Sequence, residues 1–163
     1  LQVAKMKGAR VAILDIVESR LEKAKELGAD MVVNGKTTDI VDAMKEFTNG
    51  EGFNLIYEAT ANTKILATCI RDLPSQAGRI VVLGFTTQEL PIRQVDIMGR
   101  ELEIIGTRLN NYRFPEVIGW FKEGKVQPKE IITHTFPFAK AAEAFAFNDE
   151  HPDKVLKIVL TFD

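Results

Sequence analysis

The sequence has very few of the residues that build metal centres and disulfides. It contains one cysteine, Cys69, and two histidines, His134 and His151, among its 163 residues. A single cysteine cannot form an internal disulfide, and it suits a protein of a reducing compartment, so we expect a cytoplasmic location. No two of these three residues stand at the spacing of a metal-binding pair. We therefore expect no metal site in this chain, with Cys69 in the core and His134 as a hydrogen-bonded structural residue.

Long apolar runs and clustered charge are also missing. No apolar stretch approaches the ~18 residues that a transmembrane helix needs, and no signal peptide is visible. The 21 basic and 23 acidic residues are spread along the chain and leave a net charge of −2. Such a balance gives no basis for binding nucleic acid or a membrane. These absences favour a partner that is a small molecule.

What the sequence does contain is an alternation of short apolar runs and longer runs with helical spacing. The predicted strands are 10–16, 31–33, 53–59, 79–84, 102–106, 131–136 and 155–162. The predicted helices are 1–7, 18–27, 39–48, 63–73, 115–122 and 139–147, with Thr38 as the cap of the third. Residues 74–78 precede the strand 79–84 and are assigned to no element. Strands that alternate with helices predict parallel βαβ units, hence an α/β fold with a doubly wound parallel sheet.

Asp15 is the most informative single residue. It ends the apolar run RVAILD, at the carboxyl end of a strand, where open α/β sheets bind ligands. A carboxylate there accepts hydrogen bonds from both ribose hydroxyls of an adenosine and repels a 2′-phosphate. Arg20, near the start of the next helix, has a planar guanidinium that can stack on an adenine ring. The alternative is a solvated aspartate that caps the following helix.

The glycine-rich loop of a dinucleotide site does not occur in the sequence. Such a loop lies ~20 residues before the acidic residue, and only fourteen residues precede Asp15. The loop and the strand before it would therefore precede Leu1. Downstream, Gly84 and Gly106 each follow a predicted strand, where backbone can approach a flat ligand closely or simply make a tight turn.

The run VAKMKGARVAILDIVESRLEKAKELGADMVVN resembles the zinc-dependent medium-chain dehydrogenases, the family of alcohol, sorbitol and threonine dehydrogenases. Further similar segments follow in the family's order: NLIYEATAN, GRIVVLGF, ELEIIGTR, ITHTFPFAKAAEAF and VLKIVLTF. The resemblance extends over essentially the whole chain. The segments TRLNNYRFPEVI and ITHTF are most similar to the polyol and sugar-acid branch, which includes homologues called starvation-sensing dehydrogenases.

The resemblance implies a set of cofactor-binding residues. Asp15 and its neighbour Ile16 match the position that selects NAD, and Arg20 matches the arginine beside the adenine. The other matching positions are Ala59 and Thr60 beside the adenosine, Leu83, Gly84 and Phe85 at the nicotinamide, Thr107, Arg108 and Leu109 at the carboxamide, and Lys157 near the pyrophosphate. The family has glycine after the Ala-Thr pair, where this sequence has Ala61.

The resemblance also implies how the chain is organised. Residues 1–108 correspond to a Rossmann-type NAD-binding domain that lacks its first strand and glycine-rich loop. Residues 109–163 correspond to a segment that returns to a catalytic domain absent from this sequence. In this family the missing first strand separates RVAILDI from NLIYEAT. We expect either that this strand is physically present although outside the given sequence, or that the two strands pair directly or borrow a strand from a second copy.

The function that the resemblance implies is hydride transfer between NAD and a secondary alcohol, a polyol or a sugar acid. Zinc would belong to the parent enzyme alone, with ligands outside this chain, and the chain would carry no catalytic residue. The family commonly forms dimers or tetramers, and the edge strand 102–106 is the expected contact. Two alternatives stay open: a zinc-free NADPH quinone reductase of the same superfamily, and a non-catalytic nucleotide-binding or assembly module.

Overall fold

The computed structural model describes residues 1–162 of the chain. In chain order its elements are α1 (Gln2–Met6), β1 (Ala12–Asp15), α2 (Glu18–Glu26), β2 (Met31–Asn34), α3 (Ile40–Phe47), β3 (Phe53–Glu58), α4 (Thr63–Arg71), β4 (Pro74–Val82), α5 (Gln94–Met98), β5 (Glu103–Gly106), α6 (Phe114–Lys122), β6 (His134–Pro137), α7 (Ala141–Glu150) and β7 (Ile158–Thr161). Short 3₁₀ turns cover Pro128–Ile131 and Phe138–Lys140. Every strand pairing is parallel, so the predicted α/β class is confirmed. No helix among residues 1–162 is long and apolar enough to cross a membrane.

The chain packs as two compact units. Unit 1 contains Leu1–Thr37 together with the stretch that begins at Arg113, and unit 2 contains Thr38–Tyr112. The predicted division into residues 1–108 and 109–163 stays a prediction.

Unit 1 contains two small sheets, β1 with β2 and β6 with β7. Strands β1 and β2 pair in register from Ala12 opposite Met31 to Asp15 opposite Asn34. Helix α2 contributes the buried side chains of Leu21 and Ala24. The helix ends before Gly28, whose φ of +88° is the left-handed conformation that glycine adopts without strain. This arrangement sets Asp15 at the end of β1 and directs the chain from there into α2.

Unit 2 is built on the sheet β3-β4-β5, with β4 in the middle. Ile70 of α4 and Ile80 of β4 are fully buried and pack with Leu102. Burying each isoleucine side chain contributes about 1.5–3 kcal/mol to stability. Helix α4 begins where the Asn62 side chain accepts hydrogen bonds from the backbone N–H groups of Lys64 and Ile65. Because β3, β4 and β5 are parallel, their carboxyl ends lie at the same edge of the sheet.

Three local features differ from the sequence prediction. The cap of α3 is Asp39, which accepts a hydrogen bond from the N–H of Asp42, so the prediction of Thr38 is wrong. Residues 74–78, which precede the predicted strand 79–84, belong to β4, and the pairing with β3 shifts register between Phe53 and Leu55. Helix α5 was not expected, because five residues are too few to show helical periodicity.

Strands β1 and β3, which contain the segments RVAILDI and NLIYEAT, do not pair with each other in the described chain. Among residues 1–162, β1 pairs with β2 alone and β3 with β4 alone. All of β1 is half-buried, and in β3 the side chains of Leu55 and Tyr57 are 44% and 62% exposed.

Candidate functional site

Asp15 turns its carboxylate toward the chain that follows β1. Oδ1 accepts hydrogen bonds from the backbone N–H of Ile16 at 2.7 Å and of Val17 at 3.0 Å. Oδ2 lies 3.8 Å from Nη1 of Arg20. Helix α2 has Val17 as its N-cap and no side-chain cap bond, so Asp15 does not serve as the helix cap. Ile16 itself is 54% exposed. One carboxylate oxygen is thus fixed by backbone, and the other faces a cation and solvent.

Arg20 is held by the C-terminal part of unit 1. Its Nη2 donates to the carbonyl oxygen of Pro152 at 2.6 Å and of Val155 at 3.2 Å. Its Nε is buried and has no hydrogen-bond partner among the described residues. The guanidinium therefore ties α2 to the chain before β7. Its stacking on an adenine ring stays a prediction.

Lys157 lies just before β7 and serves the fold through its backbone. Its carbonyl oxygen accepts hydrogen bonds from the N–H of Thr133 at 3.0 Å and from the Thr133 hydroxyl at 3.2 Å. The side chain is exposed, and no ion pair involves it in the part of the chain that the structure describes. The ammonium group is therefore free to meet an anion, and its place near a pyrophosphate stays a prediction.

In unit 2, Ala59 and Thr60 form an exposed turn above the buried end of β3. The backbone N–H of Thr60 donates to Oε1 of Glu58 at 2.6 Å, and the Thr60 hydroxyl donates to the same oxygen. The hydroxyl oxygen in turn accepts from the N–H of Asn62 at 3.1 Å. Ala61 follows with a φ of +57°, a region that costs an L-residue roughly 1–2 kcal/mol. The turn is thus fixed by a buried carboxylate and carries backbone strain.

Gly84 lies against this turn. A Cβ atom at this position would come within 2.4 Å of the backbone nitrogen of Ala61 and 2.8 Å of both the Ala61 Cα and Oε2 of Glu58. The N–H groups of Leu83 and Gly84 donate to the carbonyl oxygen of Glu58 at 2.8 and 3.1 Å. Glycine is required here by a close approach of the protein's own backbone. Gly106, by contrast, has open space around it.

Phe85 and Arg108 meet beyond the ends of β4 and β5. The guanidinium carbon of Arg108 lies 5.1 Å from the centre of the Phe85 ring, a cation–π contact. The N–H of Thr107 donates to the carbonyl oxygen of Val82 at 3.1 Å and continues the pairing of the two strands. Leu109 is 88% exposed. Along one edge of its sheet, unit 2 therefore gathers Ala59, Thr60, Leu83, Gly84, Phe85, Thr107 and Arg108. That this edge binds a ligand stays a prediction.

The residues that bind metals in other proteins do not assemble here. Within residues 1–162, no group of three or more His, Cys, Asp and Glu side chains is placed to hold a metal ion. Cys69 is a core residue, as predicted, and burial followed by the nearby charge of Glu58 raises the pKa of its thiol to about 12. His134 packs on Phe147 with ring centres 4.6 Å apart. Its Nδ1 is buried without a hydrogen-bond partner among the described residues, so the expected side-chain hydrogen bond is wrong at this atom.

The sequence of residues 1–123 matches the model of one protein family, described as zinc-binding dehydrogenase. The chain belongs to the zinc-binding dehydrogenases. Starvation-sensing protein RspB of Escherichia coli is 38% identical over 152 residues, which cover 93% of this chain and 44% of that protein. D-Arabitol-phosphate dehydrogenase of Enterococcus avium is 32% identical over 148 residues, with 89% and 42% covered.

Solved structures agree with this membership. An alcohol dehydrogenase (rspB) from Escherichia coli CFT073, crystallised with NADH, is 37% identical, with a TM-score of 0.91 over 99% of this chain and 48% of the other. Benzyl alcohol dehydrogenase from Acinetobacter calcoaceticus is 29% identical, with a TM-score of 0.88 over 100% and 46%. The chain thus spans less than half the length of these zinc-binding dehydrogenases.

Sequence reasoning missed Glu58. It lies in the segment NLIYEATAN, in which the resemblance points to Ala59 and Thr60. The signal was an acidic residue that closes an apolar strand, the same pattern that singled out Asp15. Ala61, which stands where the family has glycine, is one of several residues with a left-handed backbone.

Proposed function

We propose that this chain is the NAD-binding part of a dehydrogenase that transfers hydride between NAD and a secondary alcohol, a polyol or a sugar acid. The observation that carries the proposal is the carboxylate of Asp15 at the carboxyl end of β1. Backbone N–H groups hold Oδ1, which leaves Oδ2 to accept hydrogen bonds from the ribose of an adenosine. The negative charge would repel the 2′-phosphate of NADP and so favours NAD.

The relatives support the cofactor and the substrate class. One similar structure was crystallised with NADH, and similar curated proteins are named as butanediol, arabitol-phosphate and sorbitol dehydrogenases. When bound, the nicotinamide cofactor supplies a hydride acceptor or donor. We propose that this chain orients the cofactor through the residues that the resemblance implies. Asp15, Arg20, Ala59 and Thr60 would serve the adenosine, and the backbone of Leu83–Phe85 and Thr107–Leu109 would serve the nicotinamide.

We propose zinc as a cofactor of the whole protein and not of this chain alone. The described residues contain no cluster that fits a metal ion, so its ligands would come from outside this chain. The chain itself contributes cofactor placement, and alone it is proposed to be inactive.

Self-association and location are part of the same proposal. Strand β5 is an edge of its sheet and all four of its residues are exposed. An unpaired edge can pair with a second copy, which supports a homo-oligomer, a dimer or a tetramer. We place the protein in the cytoplasm because its single thiol suits a reducing compartment.

The test is cofactor choice in the whole protein. Replacing Asp15 by Ser should weaken NAD binding and admit NADP, with a change in the ratio of kcat/KM values of about tenfold or more, because a poorly screened carboxylate beside a phosphate costs several kcal/mol. Steady-state kinetics with both cofactors measures the ratio. Asp149→Ser, on the exposed face of α7, serves as the control. A wild-type protein that uses NADP as well as NAD would show that the interpretation of Asp15 is wrong.

A further inference from the structure

Glu58 is the one charged residue within residues 1–162 that is buried as a whole, with 3% of its surface exposed. The side chain of Asp96 is also buried, 6% exposed, but it forms an ion pair with Arg93. Both hydrogen bonds that the Glu58 carboxylate accepts come from Thr60 and go to Oε1. No Lys, Arg or His of the described chain forms an ion pair with it. Burying a carboxylate without a cationic partner costs stability. The charge of Glu58 therefore carries a cost in stability that its hydrogen bonds to Thr60 must offset.

The side chain and backbone of Glu58 together connect two segments to which the proposed function assigns the cofactor. Through Thr60 the carboxylate fixes the turn Ala59–Ala61. Through its carbonyl oxygen Glu58 binds the N–H groups of Leu83 and Gly84. Its Oε2 also lies directly beneath Gly84, 2.8 Å from where a Cβ would be. The negative charge is thus placed below the end of β4, in the interior of unit 2.

Three features that strain or constrain the structure lie close together at the ends of β3 and β4. They are the buried carboxylate of Glu58, the left-handed Ala61 with its φ of +57°, and Gly84, which has no room for a Cβ. Features that cost stability and cluster together are expected where a protein must hold a ligand in a defined geometry. Because these three features lie together, we expect the charge of Glu58 to have a functional role.

We propose that Glu58 is a positioning residue that fixes the segments Ala59–Ala61 and Leu83–Phe85, and that its buried negative charge favours the oxidised form of the nicotinamide cofactor over the reduced form. The inference rests on the proposed function, that the chain binds NAD. The oxidised nicotinamide ring carries a positive charge and the reduced ring is neutral. A fixed charge in a site of low dielectric therefore stabilises the oxidised form selectively.

The charge is tested by replacing Glu58 with Gln in the whole protein. Gln has the same shape and can still accept the hydrogen bonds of Thr60, but it is neutral. The dissociation constant of NAD⁺ should rise about tenfold more than that of NADH, as measured by calorimetry for NAD⁺ and by nucleotide fluorescence for NADH. A purely structural loss would weaken both forms alike. An unchanged ratio of the two constants, in a folded Glu58→Gln protein, would overturn the proposal.

The positioning role is tested by Thr60→Val, which removes the hydroxyl donor and keeps the charge. Thr60 is exposed, so the variant should fold even if Glu58→Gln does not. Both dissociation constants should rise about three- to tenfold with their ratio unchanged, and Thr60→Ser should restore them. If Thr60→Val binds both cofactors as the wild type does, the positioning role is wrong.

Two exposed positions of unit 2 supply matched controls, Glu46→Gln on α3 and Thr38→Val before it. Neither control substitution should alter the dissociation constant of NAD⁺ or of NADH. The proposed function and this inference fail in different ways. A wild-type protein that binds neither NAD⁺ nor NADH refutes both, whereas one that binds them with unchanged constants in the Glu58 and Thr60 variants refutes the role of Glu58 alone.

Discussion

Gly84 is the position at which one added methyl group should most disturb the edge of unit 2. A Cβ on Gly84 would lie 2.4 Å from the Ala61 nitrogen and 2.8 Å from the Ala61 Cα. Ordinary contacts of a Cβ atom begin at 3.4 Å, so the two backbones would have to separate by about an ångström. Because the obstructing atoms belong to backbone, no side-chain rotation can relieve the contact.

Forcing a methyl group into a closely packed place costs typically about 1–3 kcal/mol. We expect Gly84→Ala to lower the free energy of unfolding by about this amount. In urea the midpoint of unfolding should fall while the slope m stays constant, because the surface exposed on unfolding is nearly unchanged. The dissociation constant of NADH should rise as well, since the shift moves the backbone of Leu83 and Phe85.

The matched control for Gly84→Ala is Gly106→Ala at the end of the neighbouring strand. A Cβ on Gly106 meets nothing within 4 Å, and neither glycine has a positive φ. The control should therefore change stability by no more than about 0.5 kcal/mol. If both variants unfold at the same urea concentration, the close approach between Gly84 and Ala61 does not exist in solution and the reasoning is refuted.

Three further predictions follow from the strained, buried and exposed positions of unit 2. Ala61→Gly should raise stability by about 0.5–1 kcal/mol, because glycine removes the left-handed strain, whereas Ala43→Gly inside α3 should lower it by about 1 kcal/mol; urea midpoints of the two variants should move in opposite directions. The Cys69 thiol, with its pKa raised from 9.0 to about 12, should resist iodoacetamide at pH 8 until urea unfolds the protein. Because the folded pKa is raised, the stability that this thiol contributes is complete below pH 9 and is lost as the pH rises toward 12; rapid labelling of the folded protein would contradict this prediction. Ile104→Lys on β5 should shift the proposed oligomer toward monomer in light scattering at tens of micromolar, and a wild-type protein that is already a strict monomer would refute pairing through that edge.

The strands and helices with strong periodicity could be predicted from the sequence. The run around Ile80 was recognised because its apolar residues are consecutive, and α4 because its apolar side chains recur at helical spacing. The start of β4 could not be predicted, because Pro74, Ser75 and Gly78 are residues that favour a turn. The pairing with Phe53 decides that stretch, and no local pattern reports it.

The site shows the same limit. Asp15 and Gly84 could be singled out because an acidic residue and a glycine at the carboxyl ends of strands suit a ligand-binding edge, and their role in binding stays a prediction. The role proposed for Glu58 could not be predicted, because the burial of a carboxylate depends on side chains that are distant in sequence. The hydrogen bonds of Arg20 to Pro152 and Val155 were equally hidden, because they join residues that lie far apart along the chain.

The division of the chain into units has a consequence for how it folds during synthesis. Unit 2 is one continuous stretch, Thr38–Tyr112, whereas unit 1 joins Leu1–Thr37 to residues that come after it. The ribosome therefore releases everything that unit 2 needs before unit 1 has its second part. The contacts of Arg20 with Pro152 and of Ser19 with the carbonyl of Asp153 close a long loop, which is entropically costly and slow. Strands β1 and β2 can pair early, but the hydrogen bonds that join α2 to the chain before β7 form only after that chain has been made. Until then unit 1 is incomplete and open to misassembly.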